Sequence, residues 1–392
     1  MTLEPTRAAG LARLEDFVPQ AGAYARLRNY DLPGHPHVSG LSPWIRHRLV
    51  TEDEVVRAVL ARHAPSAVEK FLQEVFWRTY WKGWLEMRPS VWLHYRAEVR
   101  RGLDRVQSEA GLRADWEAAC RGETGIDGFD HWARELAETG YLHNHARMWF
   151  ASIWCFTLRL PWALGADFFL RHLIDGDPAS NTLGWRWVAG IQTPGKTYVA
   201  RASNIAQYTE FRFRPAGLAS HAAPLEAPPN PAPGPAPEGD SVTPGLRTGL
   251  ILHEDDLSPG FVLDRAPAPA AIAVVPGAGD RSPLAVSQNV LAFTEGAIAD
   301  TLARLGGAAA VSRPDDLADW AREHGLAQVV SPWAPVGPAR DRLEAARAAG
   351  LPLRMVLRAS DAAAWPHATK GFFKFKDRIP KLVDRLQDAA SA

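Results

Sequence analysis

The chain is poor in the features that mark secreted, metal-rich or membrane-spanning proteins. Its 392 residues include two cysteines, Cys120 and Cys155. Two thiols without a paired spacing do not make a disulfide framework, and they cannot supply the four thiolates of a common iron–sulfur cluster. The sequence has no apolar run long enough to cross a bilayer, and its first residues do not resemble a signal peptide. These absences predict a cytoplasmic protein that does not bind a membrane.

The chain also lacks a net charge, because 44 Lys and Arg residues balance 44 Asp and Glu residues. A polyanionic partner would therefore have to meet a local basic patch, since the protein as a whole does not attract it. Neither a G-x-G-x-x-G sequence nor a P-loop follows any strand-like run in the second half of the chain, so the usual nucleotide fingerprints are missing there. The sequence leaves the oligomeric state open.

What the chain has in abundance is tryptophan, and its distribution divides the sequence. Twelve of the 15 tryptophans lie before residue 190. In the same part of the chain, apolar residues recur at helical spacing over five stretches: 51–63, 67–87, 128–138, 142–158 and 166–173. Thr51 and Glu54 have the form of a capping box at the start of the first of these. This part is predicted to be all helical.

A proline-rich segment separates the helical part from a region with a different pattern. Half of residues 224–237 are proline, which predicts an extended, semi-stiff linker. Beyond it, short apolar runs of strand length alternate with helical stretches, which predicts a parallel sheet covered by helices. The predicted fold class is α plus α/β, with two domains. These are a helical domain over 1–215 and, after a linker over 216–246, a smaller Rossmann-like α/β domain over 247–392.

Polar residues and indoles are concentrated between residues 139 and 187. Asn144, Arg147 and Met148 are spaced so that a helix points all three at one spot. Further along, Asp175, Asp177 and Asn181 surround a glycine-containing turn, and Trp185 and Trp187 follow. Polar groups that converge beside indoles predict a pocket for a planar ligand with polar edges.

Two motifs precede this pocket sequence. In VSGLSPWIRHRL, Ser39, Leu41 and Ser42 stand ahead of a helix, where hydroxyls and backbone N–H groups suit a diphosphate. A purely structural Ser-Pro helix start is the alternative.

In FLQEVFWRTYW, Glu74, Trp77 and Arg78 share one face of a helix. For this second motif the alternative is an ordinary amphipathic helix with a Glu74–Arg78 ion pair, worth about 0.3 kcal/mol.

In this order and over residues 21–207, the motifs resemble those of the DNA photolyase/cryptochrome family. The resemblance implies a helical domain that binds FAD. It implies flavin contacts from Tyr24, Ser39, Leu41, Ser42, Arg78, Asn144, Arg147, Asp175, Asp177 and Asn181. Val38 stands where the family usually has threonine.

The resemblance also implies roles around the flavin. Asn181 matches the residue beside flavin N5 and is the asparagine typical of photolyases, where plant cryptochromes typically carry aspartate. Arg147 and Asp175 are expected to form an ion pair in a dry pocket. The substrate pocket is expected to consist of Glu74, Trp77, Asn144, Met148 and Trp187. Trp185 and Trp162 match the first two members of an electron-transfer chain, whose third, surface member has no match in register; Trp116 lies nearby but is displaced.

The function that this resemblance implies is light-driven repair of cyclobutane pyrimidine dimers in damaged DNA. Two alternatives stay open: a cryptochrome-like blue-light photoreceptor that does not repair DNA, and a dark flavoprotein with a structural role. Residues 246–386 faintly resemble the antenna domain of the family, which would here stand last in the chain instead of first. Acidic residues replace the basic ones usual after its first strand, which leaves antenna-pigment binding open.

Two histidine-containing segments raise the question of a metal. His143 and His145 are two residues apart, so a helix points them in different directions and a shared metal is disfavoured. The segment from His253 to Asp256 follows a predicted strand, where α/β sheets often bind ligands. We expect it to be a solvated acidic loop, with a metal site as the alternative. No metal is assigned.

Overall fold

The computed structural model describes residues 3–306 and 309–391, so the outermost ends of the two predicted domains lie outside it. Within the described residues, twelve α-helices precede the proline-rich segment: α1 Arg7–Phe17, α2 Tyr24–Leu27, α3 Ser42–Arg46, α4 Glu52–Leu60, α5 Pro65–Glu86, α6 Ser90–Ser108, α7 Ala110–Arg121, α8 Phe129–Thr139, α9 Asn144–Ser152, α10 Trp162–His172, α11 Pro178–Val188 and α12 Ala202–Tyr208. A 3-10 helix at Val18–Ala23 and a π-helical turn at Ile153–Thr157 complete this region.

Local sequence explains where the helices near the predicted pocket begin. The capping box at α4 is present: the Thr51 side chain accepts from the Glu54 N–H, and the Glu54 carboxylate accepts from the Thr51 N–H. Proline at Pro65 and Pro178 starts α5 and α11, where a missing N–H costs nothing. Asp177 caps α11 by accepting from the Ser180 N–H. The cap fixes the carboxylate of a predicted flavin contact at a helix N-terminus.

The second region contains a five-stranded parallel sheet. Its strands are β1 Thr248–Leu252, β2 Ala271–Val274, β3 Ala310–Ser312, β4 Gln328–Pro332 and β5 Leu353–Val356, in the order β3-β2-β1-β4-β5. The helices of this region are α13 Gly260–Leu263, α14 Gln288–Arg304, α15 Leu317–Glu323, α16 Pro338–Ala348, α17 Ala359–Ala364, α18 Phe372–Lys376 and α19 Ile379–Ser391, with 3-10 turns at Ala278–Asp280 and Trp365–His367. The direction of winding reverses between β1 and β4, the place where such sheets usually bind ligands.

The proline-rich segment has no regular secondary structure and is attached along the helical region. Its Gly234 N–H donates to Met87 O at 2.8 Å, and Pro231 O accepts from Arg88 Nε at 3.0 Å. Asn230 Oδ1 accepts from Arg186 at 2.7 Å. These bonds fix the segment to the helices beneath it.

One hydrophobic cluster spans the two regions. Buried side chains from α14 and from α17 to α19 belong to the same cluster as the core of the helical region. One close approach is at Gly83 of α5, where an added Cβ would lie 2.8 Å from the Trp365 ring. The chain therefore folds back so that its last helices pack against α5.

The expectation of a solvated acidic loop at His253–Asp256 is wrong, because all four residues are buried. Arg46 contacts Asp255 at 2.5 Å, and Arg48 contacts Asp256 at 3.1 Å and Asp361 at 2.7 Å. Cations of the helical region thus meet the carboxylates at the carboxyl end of β1, which offsets the cost of burying them. Within residues 3–306 and 309–391, no group of three or more His, Cys, Asp and Glu side chains is arranged to hold a metal ion.

No helix in the described part of the chain is both long and apolar enough to span a membrane.

Candidate functional site

The predicted flavin contacts from three separate motifs meet beside the loop that joins α10 and α11. Arg147 on α9 contacts Asp175 at 2.8 Å, and Ser42 at the start of α3 interacts with the same carboxylate. Burial alone raises the pKa of Asp175, but Arg147 and Ser42, with Arg78 nearby, bring this pKa below its ordinary value. The predicted Arg147–Asp175 ion pair is present, and Asp175 is ionised in a buried place.

A second carboxylate, Asp177, lies among cations of the same site. Lys82 is 3.9 Å from it, and Arg46 and Arg78 act on it electrostatically. Burial would raise the pKa of Asp177, but these cations and the Ser180 N–H hold that pKa well below its usual range. Burial and then Arg48 lower the pKa of Lys82. Lys82, Arg46 and Arg78 thus surround Asp177 with positive charge.

Several buried nitrogen atoms of this site have no hydrogen-bond partner among the described residues. They are Nε and one Nη of Arg78 and Nζ of Lys82. Buried donors of this kind are rare unless a ligand or water satisfies them, because each unmet donor costs about 1–3 kcal/mol. The donor set suits an anionic ligand with several acceptor oxygens.

Asn181 is oriented by the adjacent helix. Its side-chain N–H donates to Ala166 O at 2.8 Å, and the residue is 8% exposed. With the amide nitrogen engaged, Oδ1 is left as the acceptor, and no donor to it lies in the described part of the chain. Sequence reasoning placed Asn181 beside the ligand, and the bond to Ala166 shows how α10 sets its orientation.

The predicted phosphate-binding loop is stabilised by a residue that sequence reasoning missed. Arg13 on α1 donates through Nε to Ser39 O at 2.6 Å and through Nη2 to Val38 O at 3.3 Å. The Leu41 N–H donates to the Ser39 hydroxyl at 3.4 Å, and helix α3 begins at the next residue, Ser42. Arg13 lies outside the motifs, so no local signal could have revealed it.

Tyr24, a predicted contact of the flavin phosphates, lies close to Glu74, the carboxylate of the predicted substrate pocket. Its ring packs edge-on against Phe71, and burial, with Glu74 nearby, raises its pKa. Arg28, one turn after Tyr24, contacts Glu74 at 2.5 Å, and Lys70 contacts it at 3.3 Å. The Glu74–Arg78 pair considered from spacing is absent from the ion pairs of the described residues. Arg28 was also missed, although its spacing from Tyr24 was a usable signal.

Both indoles expected to face the substrate have an aromatic partner on one side. Trp77 is stacked on Phe372 of α18, with ring centroids 3.6 Å apart and planes 10° apart. Trp187 is stacked on Tyr198, with ring centroids 5.8 Å apart. Both indoles are partly exposed. The contact with Phe372 joins residues almost 300 positions apart, and no local pattern indicates it.

The other two residues of the predicted substrate pocket lie on α9. Asn144 is the first residue of this helix and is exposed, while Met148 is half-buried one turn later. His143 is the N-cap of α9, where its Nδ1 accepts from the His145 N–H at 3.2 Å. A capping role explains His143 without a metal.

Trp185 and Trp162, the first two members of the predicted electron-transfer chain, have different aromatic neighbours. Trp185 lies 6.2 Å from Trp154 between ring centroids, and Trp162 lies 5.9 Å from Tyr95. Tyr95 in turn lies 5.3 Å from Trp92. Sequence reasoning missed Tyr95 beside Trp162, and Trp92 beside Tyr95, because residues of α6 have no special spacing relative to α10. Trp116, considered earlier, is in none of the aromatic pairs of the described residues.

Residues 71–214 match the family described as "FAD binding domain of DNA photolyase". This part of the chain is similar to the FAD-binding domain of the DNA photolyase/cryptochrome family. The matched residues include the α5 motif, the α9 motif and the turn from Asp175 to Asn181. FAD is the cofactor of the matched domain, and the N–H groups of Arg78 and Lys82 that have no hydrogen-bond partner suit its phosphate and ring oxygens.

Individual relatives match through the same part of the chain. A deoxyribodipyrimidine photo-lyase from a Synechococcus species is 32% identical over 203 residues, which cover 48% of this chain and 39% of the relative. The Escherichia coli deoxyribodipyrimidine photo-lyase is 32% identical over 196 residues, which cover 48% and 40%. The chain thus spans about two fifths of the length of these photolyase relatives.

Solved structures of the photolyase family show the same partial coverage. A bacterial class III photolyase from Agrobacterium tumefaciens is 28% identical, with a TM-score of 0.43, over 53% of this chain and 42% of the other. An archaeal photolyase from Sulfolobus tokodaii, described with two FAD molecules, is 25% identical, with a TM-score of 0.42, over 53% and 46%.

Proposed function

We propose that this chain is a light-driven, FAD-dependent DNA photolyase-like lyase that repairs cyclobutane pyrimidine dimers. The observation that carries the proposal is the convergence of Ser42, Arg147 and Asp175 with the unsatisfied donors of Arg78 and Lys82. When bound, reduced FAD supplies a light-driven one-electron donation that can split a dimer. The helical domain over 1–215 holds the site, the linker over 216–246 follows it, and the sheet domain over 247–392 packs against it.

Holding the cofactor is the first task of these residues. Arg78 and Lys82 supply positive charge for phosphates, and the α3 N-terminus with Ser39 and Ser42 supplies further donors. The Arg147–Asp175 pair sets one edge of the ring site in a place largely shielded from water. These groups exclude water and fix the ligand before any chemistry occurs.

Holding the lesion is the second task. A dimer pairs and stacks poorly, so extruding it from a duplex costs less than extruding an intact base. Glu74, positioned by Arg28, offers carboxylate oxygens to pyrimidine N–H groups, and Asn144 offers an amide at the exposed start of α9. Met148 and Trp187 supply an apolar surface for the dimer ring, and Trp77 borders it.

Oxidisable rings extend from the site into the protein. Trp185 is buried and packs against Trp154, and Trp162 packs against Tyr95. Successive short separations between aromatic rings favour stepwise electron movement through them. We assign these rings to photoreduction of the protein.

The protein is assigned to the cytoplasm because Cys120 and Cys155 are both unpaired.

One observation favours a second function, that of a blue-light photoreceptor without repair activity. Phe372 covers a face of Trp77, the indole expected to contact the lesion. A photoreceptor would not need this face to be free.

A repair assay separates the two functions. Purified, FAD-loaded and photoreduced protein is incubated with an oligonucleotide that contains one dimer, in blue light and in darkness. A photolyase removes dimers in the light alone, and Glu74→Gln slows the removal about tenfold or more by weakening the hold on the pyrimidine edge, while FAD content stays unchanged. Absence of light-dependent loss, with FAD bound, leaves the photoreceptor.

A further inference from the structure

The C-terminal part of the chain contains a basic segment that the family match does not include. Residues 370–385 contain six Lys and Arg residues and two Asp residues, although the whole chain is neutral. Lys370, Lys374, Arg378 and Lys381 are exposed, and none of them forms an ion pair within residues 3–306 and 309–391. Lys376 is paired with Glu69 at 3.0 Å. Apart from Lys376, the cations named here therefore present positive charge that no ion pair within the described residues neutralises.

An exposed aromatic ring lies within this charge. Phe373 is 82% exposed, which is the highest value among the exposed large apolar residues of the described chain. Its neighbour Phe372 is buried against Trp77. Exposing a whole phenylalanine ring between two lysines has no benefit for folding, whereas it suits contact with a partner that has both flat apolar surfaces and negative charge.

The segment is fixed along α5, beside the proposed substrate pocket. Tyr80 Oη donates to Lys370 O at 2.8 Å, and Arg88 Nη2 donates to Thr369 O at 2.7 Å. Phe372 stacks on Trp77, one turn from Glu74. The exposed lysines and Phe373 thus border the place where a lesion would enter.

We propose that residues 370–381 are a DNA-contacting surface that flanks the lesion site. Phe373 stacks on a base next to the lesion, and Lys370 and Lys374 neutralise backbone phosphates. Nucleic acid is the partner because its bases provide π-faces and its backbone provides regularly spaced negative charge. That this surface flanks a lesion rests on the proposed function, whereas its contact with DNA can be measured without repair.

The test is equilibrium binding of the FAD-loaded full chain to fluorescent duplex DNA, with and without one dimer, over a series of salt concentrations. Phe373→Ala weakens binding about tenfold, because one base stack is lost. The double variant Lys370→Ala/Lys374→Ala lowers the slope of log K against log salt by about 2, because two phosphate contacts are removed. All three positions are exposed, so folding is expected to be unchanged.

Matched controls use exposed residues elsewhere. Leu93→Ala removes an apolar side chain that is 58% exposed on α6, and Arg265→Ala/Arg354→Ala removes two exposed cations of the sheet region. Both controls are expected to bind DNA as the wild type does.

Each outcome decides between the two proposals. Wild-type affinity and salt slope in the Phe373 and lysine variants overturn this surface, even if light-driven repair is intact. Reduced binding by these variants in a protein that removes no dimers supports the surface and overturns repair. Equal losses in the control variants, or a preference of the wild type for anionic phosphatidylserine vesicles over DNA, also overturn the proposed DNA contact.

Discussion

At the scale of single residues, the site depends on charges that are buried together. Asp175 is ionised because Arg147 and Ser42 offset the cost of its burial. Removing the charge of one partner leaves the other as an uncompensated ion in a dry place. Such losses are much larger than those from pairs on the surface.

Asp175→Asn tests this statement. It is expected to lower the free energy of unfolding by about 3 kcal/mol, because Arg147 loses its buried counter-ion, and to reduce the FAD retained after purification. Urea unfolding and the flavin absorbance measure the two effects. Glu295→Gln is the control, since its pair with Arg313 is about half exposed and is expected to contribute less than about 1 kcal/mol. Equal effects in both variants would contradict the account.

A second residue-scale prediction concerns Tyr95. Its buried hydroxyl has no hydrogen-bond partner in the described part of the chain, so Tyr95→Phe is expected to fold normally. Phenylalanine is far harder to oxidise than tyrosine, and the variant should therefore photoreduce its FAD several-fold more slowly than wild type. Time-resolved flavin absorbance under blue light measures the rate. Trp116→Phe is the control and should be unchanged; a slow Trp116 variant with a normal Tyr95 variant would reverse the assignment.

At the scale of elements, α5 and α18 meet in a way that distinguishes two consecutive phenylalanines. Phe372 is buried between Trp77, Tyr80 and Phe375, whereas Phe373 points to solvent. The same substitution at the two positions therefore removes very different amounts of buried apolar surface.

Phe372→Ala is expected to lower the free energy of unfolding by about 3 kcal/mol, and Phe373→Ala by less than about 0.5 kcal/mol. Urea unfolding followed by tryptophan fluorescence checks both values. Because Trp77 loses its stacked partner, the emission of the native Phe372 variant should also shift. A small effect of Phe372→Ala would show that α18 does not rest on α5 in solution.

Elements with strong local signals could be predicted from the sequence. The capping box of α4 and the prolines at the starts of α5 and α11 fix helix boundaries through neighbouring residues alone. The pocket residues of α9 and of the Asp175 turn were predicted to converge, and Arg147 and Asp175 do. Arg13, Arg28 and Phe372 reach the site from distant parts of the chain, and no local pattern encodes a contact of that kind.

At the scale of the whole molecule, ion pairs join the two regions at the carboxyl end of β1. Arg48 of the helical region contacts Asp256 and Asp361, and Arg358 contacts Asp256 at 2.6 Å. The expected solvated loop was wrong because sequence reasoning had no means of pairing the acidic loop with Arg46 and Arg48. These cations now fill the place where sheets of this topology usually bind ligands.

This junction predicts a pH dependence. Burial raises the pKa of Asp256, but Arg358 and Arg48 lower it to about 2, below an unfolded value of about 3.9. A carboxyl whose folded pKa is depressed stabilises the protein above the unfolded pKa, and this stability is lost as the pH falls through the folded pKa. The contribution is on the order of 2–3 kcal/mol.

Asp256→Asn should therefore be less stable than wild type at pH 6, by about 3 kcal/mol, and the difference should shrink as the pH falls from 5 toward 2. Urea unfolding at a series of pH values gives the difference directly. Exposed Asp264→Asn is the control and should stay close to wild type throughout. A constant difference between Asp256→Asn and wild type would show that the carboxylate is not held ionised by its arginines.

The most direct test of the central claim is the loss of dimers from DNA under blue light by the full, FAD-loaded and photoreduced chain. The account predicts that dimers disappear in the light, persist in darkness, and disappear at least tenfold more slowly with Glu74→Gln at equal FAD content. Equal dimer levels in light and darkness, with FAD bound and reduced, would contradict it.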